Sequence, residues 1–69
     1  MNVYVFKTSI GPQHVSKVNE ILRGLIPNCK WGYDLEDCDN ILRIESEKNI
    51  AELVRVHLTK DGFDCEELQ

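Results

Sequence analysis

Two histidines, three cysteines and a run of carboxylates are the side chains of this chain that could hold a metal or move a proton. His14 is the metal-capable side chain of the loop Ile10-Gly11-Pro12-Gln13-His14, which precedes a stretch with helical spacing. A lone imidazole binds metal weakly, so a working site would need a second ligand from elsewhere, for instance from a second subunit; otherwise His14 is an exposed histidine near a helix start. Cys29, Cys38 and Cys65 are separated by nine and twenty-seven residues, unlike the close pairs of structural zinc sites. Cys29 reads as a small core hydrophobe, whereas Cys38, in a turn, is the thiol most open to oxidation. Asp34, Glu36, Asp37 and Asp39 place four carboxylates within six residues. A calcium loop starting at Asp34 would need glycine at its sixth position, which is Asp39, so these acids read as the rim of a solvated turn.

Trp31 and Tyr33 stand two residues apart, on one face of any strand that contains them. Packed under helices they are core; exposed on an open sheet they would form a partner-binding patch or a base-stacking platform. His57 borders an apolar helical stripe and reads as a packed, hydrogen-bonded histidine. No Ser-His-acid or Cys-His-acid arrangement can be assembled and no Gly-rich phosphate loop is present, so an enzyme is not expected. No cofactor is implied.

The elements that must position these residues follow from periodicity and turn chemistry. Val3 to Ile10 is rich in β-branched and aromatic residues and stops at Gly11-Pro12, which predicts a strand. Apolar residues on both of its faces, Val3 and Val5 on one and Tyr4 and Phe6 on the other, suit a central position. Val15, Val18, Leu22 and Leu25 recur at helical spacing, which predicts a helix over 13–25, ended by Pro27. Cys29 to Leu35 and Ile41 to Glu45 read as the two strands of a hairpin around Asp37-Cys38-Asp39-Asn40. Ile50, Leu53, Val54 and Leu58 form a second amphipathic stripe, entered through Ser46 and Asn49 and closed by Lys60-Asp61-Gly62. Phe63 to Leu68 completes the chain as a short acidic edge strand. Strand, helix, strand, strand, helix, strand predicts the ferredoxin-like βαββαβ two-layer sandwich, an α+β fold with four antiparallel strands and both helices on one face.

In this layout Val18-x-x-x-Leu22, the hairpin, and Leu53-Val54-x-x-x-Leu58-x-x-x-Gly62-Phe63 resemble the heavy-metal-associated (HMA) domain of copper chaperones and metal-pumping ATPases, across nearly the whole of residues 1–69 as one domain. The resemblance implies a soft-metal site of two cysteines, Cys-x-x-Cys, between the first strand and the first helix. Those two positions fall here on Gly11 and His14, so the metal-binding motif is absent. The stretch Trp31 to Ile44 is also similar to a subgroup of small bacterial proteins that share the layout without the motif, a likeness that implies a fold and no activity. Gly11, Gln13 and His14, with Trp31 and Tyr33, are therefore the candidate binding residues.

Size and charge narrow the choice. Sixty-nine residues make one small domain, within the usual range of about 50 to 250. Eight Lys and Arg against twelve Asp and Glu leave a net charge of −4, which repels phosphate backbones and anionic lipid, so nucleic acid and membrane insertion are poor expectations. The N-terminal residues lack the pattern of a signal peptide, and an odd number of cysteines cannot all pair within the chain, which points to the cytoplasm. The expected function is a non-enzymatic HMA-like binding module acting through protein contacts, monomeric or a weak homodimer. Alternatives are a metal carrier built around His14 and a small-molecule-sensing dimer paired through its sheet edge.

Overall fold

The computed structural model describes residues 2–36 and 39–68; the turn residues Asp37 and Cys38 singled out above lie outside the described residues. Its elements are β1 (Asn2–Thr8), a 3-10 turn (Pro12–His14), α1 (Val15–Leu25), β2 (Lys30–Asp34), β3 (Ile41–Ser46), α2 (Ala51–Lys60) and β4 (Cys65–Leu68). The strands form one antiparallel sheet in the order β2-β3-β1-β4. Both helices lie on one face, which is the ferredoxin-like α+β sandwich expected from the element order.

Strand alternation decides which side chains meet the helices. Phe6 of β1 and Leu42 and Ile44 of β3 point to the helix side and are fully buried against Val18 and Leu22 of α1 and Val54 and Leu58 of α2. Those four helical residues carry the spacing that predicts the helices, so the period of the sequence and the core coincide. The opposite sheet face is uncovered and bears Val3, Val5, Lys7, Arg43 and Glu45, of which Val3 keeps 59% of its surface exposed.

Several boundaries differ from expectation, each for a local reason. β1 stops at Thr8, because the Thr8 hydroxyl donates to the Asn40 carbonyl (2.6 Å) and accepts the Ile10 amide (3.1 Å), turning the chain out of the sheet. The predicted helix over 13–25 begins instead as the 3-10 turn, and α proper starts at Val15. Leu53, assigned above to the buried stripe of the second helix, is 42% exposed, and Ala51 takes its place in the core.

Phe63 and Asp64, predicted as strand, precede β4: Phe63 belongs to the cap of α2, and Asp64 is bonded to Ser9. The Phe63 amide reaches back to the Leu58 carbonyl (3.0 Å) and the Gly62 amide to Thr59 (3.1 Å), with Gly62 at φ +93°. This is a Schellman ending, in which the buried Phe63 folds its ring back toward the last turn. A side chain at Gly62 has room but would be forced into the left-handed region. Gly62→Ala should therefore destabilise the domain by about 1 kcal/mol, read as a lower urea midpoint at unchanged slope; an unaltered midpoint would contradict this role for the cap.

Candidate functional site

The β1–α1 loop is built from reciprocal hydrogen bonds between two residues. The Gly11 amide donates to His14 Nδ1 (2.9 Å), and the His14 amide donates to the Gly11 carbonyl (2.9 Å). Pro12 begins the turn between them with a fixed φ and no amide to satisfy. The half-buried imidazole also stands edge-on to the Phe63 ring, 5.1 Å between centroids at 75°, so the two loops at this end of the sheet are packed together. Gly11 itself is extended (φ −99°) and needs no glycine freedom, but a Cβ there would lie 2.6 Å from Gln13 Oε1, so the Gln13 side chain covers the loop.

These contacts fix the protonation pattern of His14. An amide N–H pointing at Nδ1 requires a lone pair there, which leaves the proton of a neutral ring on Nε2. A metal-bound histidine ligates through its lone-pair nitrogen while the other keeps its proton and donates, and here the lone-pair nitrogen, Nδ1, is already taken by the Gly11 amide. A metal at Nε2 would drive that proton to Nδ1, directly against the Gly11 amide. His57 is arranged oppositely: its Nδ1 lies 2.8 Å from the Leu53 carbonyl and must donate, which turns Nε2 outward as an acceptor. Among the described residues no three His, Cys, Asp or Glu side chains are grouped as a metal would need.

Trp31 and Tyr33 lie on the helix side of β2, level with the buried Ile44 and Leu42, so the sheet face left open is not aromatic. Both are half-buried, and both donate to one atom, Asn19 Oδ1 on α1, from the indole N–H (2.9 Å) and the phenol (2.8 Å). Burial pushes the Tyr33 phenol above its usual range, and the neighbouring indole N–H of Trp31 partly offsets this. Asn19 was not among the residues the sequence marks out. Its signal was present, since asparagine is a poor helix former and here falls on the shoulder of the Val15, Val18, Leu22 stripe. The aromatic pair and the His14 loop thus occupy separate places, one on α1 and the β2 edge and the other against the α2–β4 loop.

A groove of about 530 Å³ opens at the end of the fold where α1 runs into β2 and β3 into α2. Leu25, Ile26, Ile50 and the exposed Leu53 give it an apolar lining, with the half-buried Cys29 among them. Glu45, Glu47 and Lys48, all exposed, are its charged residues. Cys29 packs partly against the core, and Cys65 lies on β4, the far edge from β2, so the two free thiols are not neighbours in the sheet. Burial pushes the Cys65 thiol up to about 11, a shift that nearby Arg55 only reduces.

Comparison with protein-family models, curated proteins and solved structures finds no match.

Two outcomes follow from these environments. Asn19→Ala strands two half-buried donors, so it should cost about 1 to 3 kcal/mol and shift the emission of Trp31, the chain's one tryptophan; unchanged stability and emission would refute the shared acceptor. Because thiolate is the reactive form, raising Cys65 from 9.0 to about 11 leaves it roughly a hundredfold less reactive at neutral pH. Site-resolved mass spectrometry after iodoacetamide treatment should find Cys65 spared at pH 8 and modified as pH approaches 11, and labelling at the rate of a free cysteine at pH 8 would contradict its burial.

Proposed function

We propose that this chain is a non-enzymatic binding module that has the layout of a heavy-metal-associated domain without its soft-metal site, and that it acts through protein contacts. The observation that carries this proposal is the closure of the β1–α1 loop upon itself. At the two positions where the resembled family keeps thiolates, a glycine amide and an imidazole nitrogen satisfy each other. The loop is thereby a stiff corner of the fold, and the lone-pair nitrogen of its one imidazole is occupied by the Gly11 amide and not open to a metal.

The surface best suited to a protein partner is the groove lined by Leu25, Ile26, Ile50 and Leu53. It is open and apolar, and two of its three charged residues are carboxylates, so it fits an apolar side chain flanked by a basic one. The net charge of −4 favours the same basic partner. Cys29 and Cys65 are free thiols, in keeping with a reducing compartment such as the cytoplasm. Neither described helix is long and apolar enough to cross a membrane.

Calorimetric titration of the reduced protein with copper(I) and with zinc(II) should find no one-to-one complex tighter than about 1 μM. A tighter complex would overturn the proposal, and its disappearance in His14→Ala would assign the protein to metal carriage instead. In a parallel titration followed by amide shifts, a hexapeptide of alternating leucine and arginine should perturb Leu25, Ile50 and Leu53, and Leu53→Asp should abolish the effect.

A further inference from the structure

The two outer strands of the sheet are defended very differently. β4 (Cys65–Leu68) has glutamates at both central positions, Glu66 and Glu67. Two-fold pairing of β4 with itself about either central residue, Glu66 or Glu67, sets that glutamate opposite its own copy, and like charges directly opposite repel. β2 has no such guard. Its five residues read Lys30-Trp31-Gly32-Tyr33-Asp34, with charge at the ends only, no proline and an exposed glycine in the centre.

We infer that the β2 edge is a self-recognition strand, by which two copies of this chain join antiparallel about a two-fold axis at Gly32 into one eight-stranded sheet. In that register Lys30 of one copy faces Asp34 of the other, twice, and Trp31 faces Tyr33, twice. The strand is therefore complementary to itself in charge and in aromatic pairing, the two kinds of cross-strand pair that stabilise sheets. Side-chain parity is preserved, because Lys30, Gly32 and Asp34 all lie on the open face while Trp31 and Tyr33 lie on the helix face. Within its own sheet Asp34 stands opposite Ile41, so the second copy supplies the cation in line with it. Gly32 has open space where a Cβ would be, so neither backbone is held off by a side chain at the axis. The Asn19 bonds already hold the indole and phenol toward α1, which lowers the ordering cost of pairing the rings.

The contact is small. Five residues at about 3.4 Å each make a seam of roughly 17 Å, too short to bury the roughly 800 Å² per partner of a standard protein interface. Association is accordingly weak and concentration-dependent, with a Kd on the order of 100 μM. The apolar groove residues Leu25, Ile26, Ile50 and Leu53 are not part of β2, so a failure here does not bear on the proposal for that surface.

Sedimentation velocity from about 20 μM to 1 mM should follow a monomer–dimer equilibrium with no larger species, weakened by salt. Asp34→Lys alone should raise Kd at least tenfold by setting lysine against lysine, and Lys30→Asp alone should do the same with aspartates. An equimolar mixture of the two variants should form heterodimers, and Lys30→Asp with Asp34→Lys in one chain should restore the wild-type Kd. A wild-type protein still monomeric at about 1 mM would overturn the inference. So would a dimer whose Kd is indifferent to either charge reversal.

Discussion

A backbone amide donated to an imidazole nitrogen, Gly11 to His14 Nδ1, determines what one end of this fold can do. The first residues of any helix leave amides without intrahelical partners, and most chains answer with a serine, threonine or carboxylate. Here the acceptor is a histidine three residues on, and the same histidine returns its own amide to the Gly11 carbonyl. The β1–α1 turn is thus stiff without any ligand. Its ring then packs on Phe63, which is itself held by the Schellman ending of α2. The ring contact thus links the start of α1 to the end of α2, and the chemistry open to His14 is what the Gly11 bond leaves over.

The same end of the sheet is secured by a second polar knot at Thr8. Its hydroxyl joins the Asn40 carbonyl to the Ile10 amide, while the Ser9 amide and hydroxyl engage the backbone of Asp64. Asn40, at φ +47°, takes the left-handed conformation that asparagine tolerates better than most residues. Three connections are drawn together by short-range bonds, and the opposite end, where α1 meets β2 and β3 meets α2, is left with the groove. In so small a domain, where roughly 60% of the unfolded surface is buried, rigidity at one end and an open apolar surface at the other is a workable division. The surface ion pairs, such as Lys17 with Asp61 at 3.4 Å, contribute little beside these knots.

The fold was legible because its signals are local and repeated. Val18 and Leu22, and then Val54 and Leu58, carry the helical period; Asn40 and Gly62 sit where the chain needs unusual backbone; and the acids of β4 mark it as an edge. What was not legible depends on contacts distant in sequence. Phe63 looks like a strand residue by type, yet it serves the helix before it, because the Gly62 turn sends its amide back to Leu58. Leu53 fits the apolar stripe by spacing, yet it lies at the groove, since α2 is rolled to bury Ala51. The face taken by Trp31 and Tyr33 was open until pairing with β3 set them beside Leu42 and Ile44. Spacing placed His14 in the right loop but could not give its tautomer, which is set by one hydrogen bond.

The state of that imidazole is also the most direct check on the central claim, that the loop is a closed structural corner and not a vacant metal site. Long-range ¹H–¹⁵N correlation spectra of the histidine rings report which nitrogen carries the proton. His14 should appear as the Nε2–H tautomer with an unprotonated Nδ1, beside a Gly11 amide protected from exchange, and should stay so when zinc(II) is added. A His14 ring protonated on Nδ1, or a Gly11 amide that exchanges freely, would contradict it.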